Sequence, residues 1–344
     1  MDHAGSEGCG QDRPRGDRMS ASSIKSWATW GSGVTCVFGG RGVISTLVAI
    51  AIAGVVSAAH RAGAQEMEPR AFSISPIGTN YLIAGYSRST GSVSTDPSLP
   101  LSNVEAVITS GILGYQRTFG LAGRTASAAL LVPFLNGDVR GDLEDQSRQV
   151  SRNGLGDLRM RFTANLLGGP ALTPAEFARR APTTTVGASL TIVAPTGQYN
   201  PAYLINLSSN RWAFKPEFGL AQPFGNWFAD ASTGVWLFTD NPNFFRGNRR
   251  SQDPLWAFEL HGGYNFSPGL WLAADATYYR GGETSLNGDA KHDLQANSRY
   301  GLTLSVPILD GVSTKLTWSN SLITRVGGRF QTVGLTLQYR WFDP

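Results

Sequence analysis

The sequence is poor in the residues from which most enzymes build a reactive site. Cysteine occurs only twice among 344 residues, at Cys9 and Cys36, so the chain after residue 64 has no thiol to form a disulfide or to ligate zinc. That stretch holds two histidines, His261 and His292, and no Gly-x-Ser-x-Gly motif. The sequence therefore predicts no cofactor and no bound metal, and it favours a protein that is not an enzyme.

Charged residues are also scarce. They make up 16% of the chain, whose formal net charge is +4, and residues 65–344 hold 23 basic and 21 acidic side chains. A nucleic-acid-binding domain instead concentrates Lys and Arg in a patch or stripe. The small and dispersed excess of positive charge predicts that nucleic acid is not a partner.

The one long apolar run lies near the N-terminus. Arg41 precedes the apolar residues 43–59, and an Ala-Gly-Ala sequence that ends at Ala64 follows them. This order predicts a secretory signal peptide cleaved after Ala64, so residues 1–64 form a leader and residues 65–344 the mature protein. An uncleaved membrane anchor is the alternative, because the run is close to the length that spans a bilayer.

Beyond the leader, apolar and polar residues alternate with a period of two, and clusters of Gly, Pro, Asn and Asp separate the alternating stretches. Only residues 173–181 show helical spacing, which predicts one short helix. The alternation predicts twelve strands, at residues 79–87, 104–118, 124–133, 155–167, 183–194, 211–221, 226–238, 254–266, 269–280, 298–307, 312–322 and 330–341.

A soluble β-sandwich also alternates, with one face in a core and the other in water. Three observations favour a membrane barrel instead. The stretches are long enough to cross a bilayer, long and short connections alternate along the chain, and Trp212, Trp227, Trp256 and Trp341 lie near strand ends, where interfacial aromatics belong. The predicted fold is all-β, a single antiparallel transmembrane β-barrel of about twelve strands in the bacterial outer membrane.

Strand parity divides the side chains between the lipid and the barrel interior, which we call the lumen. The charged or titratable residues with inward parity are Asp157, Arg159, Arg161, Arg211, Lys215, Glu217, Asp230, Glu259, His261, Asp275, Arg299, Lys315 and Arg340. The aromatic residues with the same parity are Phe228, Trp236, Phe238, Trp271 and Tyr279. Two interpretations stay open: the charges neutralise one another and fill a narrow barrel, or they line a path for amphiphilic or aromatic solutes.

One residue conflicts with its predicted strand. Pro216 lies in mid-strand between Lys215 and Glu217, yet proline has no N–H for a ladder and is normally confined to sheet edges or bulges. A closed barrel has no edge. The sequence therefore predicts a bulge or a local break in the ladder at Pro216.

Three short motifs carry a family resemblance. They are Gly-Leu-Gly-Asp-Leu-Arg-Met-Arg-Phe at residues 154–162, Pro-Thr-Gly-Gln-Tyr-Asn at residues 195–200, and Ser-Asn-Arg-Trp-Ala-Phe-Lys-Pro-Glu-Phe-Gly-Leu at residues 209–220. In this order they resemble an outer-membrane β-barrel family named for the meta-pathway of phenol degradation, over residues 77–341. The resemblance implies a transporter-like barrel that passively takes up small hydrophobic or aromatic compounds, and it transfers no set of binding residues.

The C-terminus departs from the usual pattern of such barrels. Outer-membrane barrels commonly end on an aromatic residue that the barrel-assembly machinery reads, whereas Phe342 is followed here by Asp343 and Pro344. The predicted partners are outer-membrane lipid, the barrel-assembly machinery and a small hydrophobic or aromatic solute.

Three functions fit the predicted barrel. The first is a porin-like outer-membrane channel for passive uptake of small hydrophobic or aromatic compounds. The second is a closed structural or surface-interaction barrel without transport. The third is a lipid hydrolase, which requires a serine–histidine pair at the lipid boundary, and the inward parity of His261 disfavours it.

Overall fold

The computed structural model describes residues 67–94, 101–143 and 146–344. Within these residues almost all regular structure is β-strand, with one short α-helix and one 3₁₀ turn. The predicted leader, residues 1–64, and its cleavage site lie outside the described residues.

The described strands are numbered in chain order. The first eight are β1 (Thr79–Ser94), β2 (Leu101–Leu121), β3 (Arg124–Leu143), β4 (Gln146–Leu155), β5 (Leu158–Leu167), β6 (Thr185–Ala194), β7 (Ala213–Phe224) and β8 (Trp227–Phe238). The others are β9 (Asn241–Phe244), β10 (Asn248–Gln252), β11 (Leu255–Ser267), β12 (Leu270–Gly281), β13 (Thr284–Leu286), β14 (Asp289–Ala290), β15 (Gln295–Leu309), β16 (Val312–Ile323) and β17 (Gly327–Phe342). The helix, α1, is Pro174–Ala178.

The main sheet is antiparallel and closes on itself. Strand β1 pairs with the last strand, β17, and β2 pairs with β3, so no open edge remains around the wall. Both β4 and β5 pair with β3 and form one wall strand that is interrupted at Gly156 and Asp157. The wall is thus a closed twelve-strand barrel, as predicted. Because hydrocarbon offers no hydrogen-bond partners, every backbone N–H and C=O of the wall must be paired within the sheet, and closure achieves this.

The two ends of the barrel differ. Tight turns join β2 to β3, β7 to β8, β11 to β12 and β15 to β16 at one end, where β1 begins and β17 ends. We call this the turn end and the opposite one the loop end. In outer-membrane barrels the short turns face the periplasm, so the turn end is the periplasmic end.

Side chains alternate across the wall as the parity predicts. In β12, Trp271, Ala273 and Asp275 are buried, whereas Leu272 and Tyr278 between and beside them are exposed. The outward set of the whole barrel is large and apolar, which is what a lipid-facing surface requires.

Aromatic residues form a girdle at each end of this outer surface. Trp212 and Trp256 are exposed where β7 and β11 begin at the loop end, and Trp227 and Trp341 are exposed near the turn end. Such rings anchor a barrel at the two membrane–water interfaces. The outer-membrane location follows from the closed wall, its apolar outer face and these girdles.

Four predicted connections contain strands instead of irregular loops. Strands β1 to β4 extend into residues 88–103 and 134–154, and residues 239–253 and 281–297 hold a four-stranded sheet of β9, β10, β13 and β14. These extensions lie at the loop end, beyond the girdle, where neither face of a strand needs to be apolar. Period-two alternation is therefore weak there, which is why the sequence did not reveal them.

The prediction for Pro216 is confirmed. The ladder between β7 and β6 runs through Leu190↔Pro216 without a gap. On the other side, the β7–β8 ladder pairs Phe214 and then Glu217, and skips Lys215 and Pro216. The break falls where proline lacks its N–H, and the closed wall keeps the same register on both sides of it.

The predicted helix is present and short. Thr173 caps α1: its hydroxyl accepts a hydrogen bond from the Glu176 N–H, and the Glu176 carboxylate accepts one of 2.8 Å from the Thr173 N–H. This capping box lowers the pKa of Glu176, chiefly through the backbone N–H of Thr173. No helix in the described ranges is both long enough and apolar enough to span a membrane.

Candidate functional site

Paired charges occupy the middle of the lumen. Strand β7 places Lys215 and Glu217 inward two residues apart, and the Lys215 Nζ lies 3.1 Å from the Glu217 Oε1. The same ammonium lies 3.3 Å from the Glu259 Oε1 of β11. All three side chains are almost fully buried. Buried ions are tolerated when they are paired in this way, and removal of one partner leaves the others uncompensated.

This cluster continues around the wall in both directions. The Arg161 Nη2 of β5 lies 2.9 Å from the Glu217 Oε2. On the other side, the His261 Nε2 lies 3.8 Å from the Glu259 Oε2, and the His261 Nδ1 lies 2.7 Å from the Asp275 Oδ1. We call the set of Arg161, Lys215, Glu217, Glu259, His261 and Asp275 the paired network.

The position of His261 bears on the lipid-hydrolase alternative. Its two ring nitrogens face the carboxylates of Asp275 and Glu259, and its side chain is buried inside the wall, away from the lipid. A serine hydrolase instead needs a hydroxyl on one ring nitrogen. Among the described residues, no group of three or more His, Cys, Asp or Glu side chains is arranged to hold a metal ion.

Residues 67–75, which precede β1, lie inside the lumen, and we call them the inner segment. The backbone N–H of Arg70 donates a 2.8 Å hydrogen bond to the buried Asp230, and its guanidinium donates one of 2.6 Å to Asn265. Glu68 joins the segment to the paired network, because its carboxylate lies 2.7 Å from the Arg161 Nη1. The inner segment is therefore attached to the wall on two sides.

Phe72 anchors the inner segment by shape. Its ring lies over Gly187 and Gly219, two inward positions without side chains. A Cβ atom at Gly219 would lie 2.0 Å from the ring, so only glycine leaves room for it. The Thr185 hydroxyl also donates a 3.0 Å hydrogen bond to the Phe72 carbonyl. The ring is 3% exposed, which makes it one of the best-buried apolar side chains of the barrel.

Between the inner segment and the wall, at the turn end, lies a cavity of about 810 Å³. We call it the turn-end cavity. Its wall combines apolar side chains such as Ile83 and Ile112 with the basic side chains of Lys315 and Arg340. Trp271 lies at its inner side, in edge-to-face contact with Phe228 at 5.8 Å between ring centres. The cavity is thus an amphiphilic enclosure inside the barrel.

The predicted lumen residues do not all lie together. Arg161, Lys215, Glu217, Glu259, His261 and Asp275 form the paired network, and Lys315 and Arg340 line the turn-end cavity. Asp230 holds the inner segment. Arg299 is buried and donates hydrogen bonds of 2.8 Å to Ser319 and 3.0 Å to Thr332. Arg159 interacts electrostatically with Tyr279.

Asp157 has a different role from the one its parity predicts. Its carboxylate accepts backbone hydrogen bonds of 3.0 Å from Gly197 and 2.9 Å from Ser209. It therefore holds residues 195–210 at the loop end. The wall strand is interrupted at this position, between β4 and β5, so parity alone does not assign Asp157 a partner in the lumen.

Arg211 lies just before β7, at the loop end, and not within the strand predicted from residue 211. Its guanidinium donates a hydrogen bond to Gln252 and lies 4.3 Å from the Phe238 ring centre. Burial lowers the pKa of Arg211 to about 10, and the neighbouring charge of Arg250 adds to the effect. Arg250, in the four-stranded sheet, also has a pKa lowered by burial.

Sequence reasoning missed the inner segment. Residues 67–75 carry no alternation, so the sequence places them only at the start of the mature chain. One signal was present: Gly187 and Gly219 both occupy inward positions on neighbouring strands, where paired glycines indicate the close approach of another group. The identity of that group, Phe72, is a long-range contact that no local pattern encodes.

Solved structures support the fold. An outer membrane channel from Pseudomonas putida F1 is 23% identical with a TM-score of 0.69, covering 80% of this chain and 100% of that chain. The transport unit of the autotransporter AIDA-I from Escherichia coli is 8% identical with a TM-score of 0.46, covering 84% of this chain and 97% of that one. The first match shows a shared barrel fold, and the second is too distant to support any argument.

A family assignment comes from the sequence itself. No curated protein matches the chain. A family model described as the MetA-pathway of phenol degradation matches residues 88–340, which is most of the chain and nearly all of the barrel. The predicted family resemblance is confirmed, and the chain belongs to this family of outer-membrane β-barrels.

Proposed function

We propose that this protein is an outer-membrane channel for the passive uptake of small hydrophobic or aromatic compounds. The turn-end cavity carries the proposal. Cavities of about 300–1,000 Å³ accommodate small molecules, and this one has a volume of about 810 Å³. Its lining of aliphatic, hydroxyl and basic side chains suits a solute with an apolar body better than a sugar.

The architecture around the cavity is consistent with this function. The cavity opens among the turns at Gly269 and Gly311, on the periplasmic end, so a solute released from it would enter the periplasm. Towards the loop end, the lumen contains the stacked rings of Trp236 and Phe238, 6.4 Å apart. Aromatic side chains therefore occur on the inward face on both sides of the paired network.

One observation favours the alternative of a closed barrel. The paired network and the inner segment occupy the middle of the lumen, where a continuous path would have to pass. Uptake then requires that the inner segment moves. We treat this as a property of the proposed channel, because the segment is attached by a few polar contacts and by one ring in a glycine slot.

Uptake of a fluorescent hydrophobic probe tests the proposal. Intact Gram-negative cells that produce the barrel would be mixed with N-phenyl-1-naphthylamine, whose fluorescence rises when it passes the outer membrane. We expect faster uptake than in cells with an empty vector, at equal outer-membrane integrity. Assembly of the barrel would be confirmed by its heat-dependent shift on a detergent gel.

The matched control is a variant in which two cysteines cross-link the inner segment to the wall, for example Ser73→Cys paired with a cysteine on a facing strand. Reduction of the cross-link should restore uptake. Equal uptake by vector cells and by cells with an assembled barrel, cross-linked or reduced, would contradict a transport function and support the closed barrel.

A further inference from the structure

Lys315 is a cation without a carboxylate partner. It lies inward on β16, opposite Ser305 of β15 and Thr336 of β17. Within the described part of the chain it forms no ion pair, and its Nζ lies 5.9 Å from the ring centre of Trp271. The contrast with Lys215, which has two carboxylates within 3.3 Å, is large.

The acidic side chains near Lys315 either form an ion pair with another residue or lie in an exposed turn. Glu68 of the inner segment acts on Lys315 electrostatically, but its carboxylate is bound to Arg161 at 2.7 Å. Asp310 lies in the exposed turn between β15 and β16. An enclosed ammonium without an ionic partner is costly, and it is stabilised by water or by an anion from solution.

The register around Lys315 leaves room for such an anion. Ser305 and Thr336 are the cross-strand neighbours of Lys315. Beyond Thr336, on strand β1, lies Gly85. A Cβ atom placed on Gly85 would lie 3.5 Å from the Thr336 hydroxyl. Two small side chains and one glycine thus flank one long cation. The Thr336 hydroxyl can donate a hydrogen bond to the same group that the ammonium binds, and the Ser305 hydroxyl can do so once it leaves the Gly269 carbonyl, to which it donates a bond of 3.1 Å.

An apolar surface begins beside these small residues. Ile112 is the register partner of Gly85, and Ile83 lies two residues before Gly85 on the same inward face. Both side chains are partly exposed to the cavity. The cavity therefore presents a positive charge with hydroxyls at one place and an aliphatic surface at an adjacent place.

Arg340 adds a second positive charge nearer the mouth. It lines the same cavity on β17, four residues beyond Thr336, and its guanidinium lies 5.4 Å from the ring of Phe342. An anion entering or leaving at the turn end would pass Arg340 on its way to or from Lys315. Two cations in series lower the cost of moving an anion through an enclosed space.

We propose that Lys315, with Ser305 and Thr336, is a subsite for the carboxylate of an amphipathic solute whose apolar body lies against Ile83 and Ile112. The inference rests on the proposed function, because it names the chemical class of the solute in the same cavity. Aromatic monocarboxylates have the required form, one anionic group on a small apolar body. A neutral aromatic of the same shape should bind more weakly.

Ligand-observed fluorine NMR on the purified full-length barrel in a non-ionic detergent tests the inference. The probes are 4-fluorobenzoate and its neutral analogue 4-fluorobenzamide, each corrected against protein-free micelles. We expect the wild type to broaden the benzoate signal more strongly. Lys315→Gln should weaken benzoate binding about tenfold, the size expected for a lost charge-assisted hydrogen bond, and should leave benzamide unchanged.

Two further variants complete the design. Lys291→Gln removes a lysine from the loop between β14 and β15 and should bind benzoate like the wild type. Lys315→Arg keeps the charge and should retain most of the binding, provided that each variant shows the heat-dependent gel shift. Equal benzoate binding by the wild type and Lys315→Gln would overturn the inference.

Competition experiments distinguish an amphipathic carboxylate from a simple inorganic anion. Displacement of benzoate by an equal concentration of inorganic phosphate would mean that the subsite recognises charge alone, and it would overturn the assignment to an amphipathic carboxylate. Equal binding of benzamide and benzoate would overturn the inference while the uptake assay still supports a channel. Absence of uptake in cells contradicts the channel itself, whatever the NMR result.

Discussion

Among the described residues, Lys215 and Lys315 are the two lysines that point into this barrel from the wall, and their surroundings are opposite. Lys215 lies between Glu217 and Glu259, and the three charges neutralise one another. Lys315 has Ser305 and Thr336 beside it and faces a cavity. The same residue type, with the same parity, therefore serves packing in one region and faces solvent or solute in the other. Cross-strand register decides which.

The largest expected effect is the loss of stability when Lys215 is replaced, with replacement of Lys315 as the comparison. Lys215→Gln leaves Glu217 and Glu259 buried without their cation, and we expect it to destabilise the barrel by about 3 kcal/mol. Lys315→Gln breaks no ion pair and removes an enclosed charge, so it should leave stability unchanged or raise it by up to about 1 kcal/mol. Urea unfolding of barrels refolded into lipid vesicles, followed by tryptophan fluorescence, measures both.

The two variants together test whether the two lysines really have different structural roles. Equal unfolding midpoints for the two variants would mean that water in the lumen compensates the carboxylates of the paired network, so that the network is not structural. Asp289→Asn serves as the control for charge removal, because Asp289 lies in the exposed strand β14. It should unfold like the wild type.

The second prediction concerns the inner segment, which contacts the paired network and lines the turn-end cavity. Gly219→Ala places a methyl group where the Phe72 ring lies, and overpacking of this kind costs about 1–3 kcal/mol. We expect the segment to detach more often and trypsin to cleave after Arg70 about fivefold faster or more. Cleavage would be followed by mass spectrometry on the assembled barrel.

Gly262→Ala is the matched control. A Cβ atom at Gly262 meets nothing within 4 Å, on a wall strand of the same barrel. It should be cleaved at the wild-type rate. Unchanged cleavage in Gly219→Ala would show that the ring does not hold the segment and that the polar contacts of Arg70 do so alone.

The fold was predictable from the sequence because a membrane barrel imposes one rule on every strand. Lipid on one side and a polar lumen on the other produce strict alternation, and all twelve predicted stretches overlap wall strands. The rule stops at the girdle. Beyond it, strands such as β4 have water on both faces, so residues 146–154 show no apolar parity and the sequence predicts a connection there.

The interior was predictable only in part. Parity assigns Lys215 and Lys315 to the same face, yet it gives no distances across the lumen. Pairing between Lys215 and Glu259 joins residues 44 positions apart, and the contact of Phe72 with Gly219 joins still more distant ones. Such contacts depend on the closed geometry of the barrel. A sequence pattern can therefore name the candidates for a lumen site without showing which of them face a solute.

The smallest expected effect concerns the ladder break beside the paired network. Pro216→Ala restores an N–H opposite Val235, where the β7–β8 ladder is interrupted, and one regained hydrogen bond contributes about 1 kcal/mol. Hydrogen exchange should then show a protected amide at position 216 and slower exchange at Val235. The Lys215–Glu217 pair should remain, since β6 already holds this stretch in register on the other side. A large loss of stability in Pro216→Ala would instead mean that the break itself positions Lys215 between its two carboxylates, and that the difference between Lys215 and Lys315 depends on proline as well as on register.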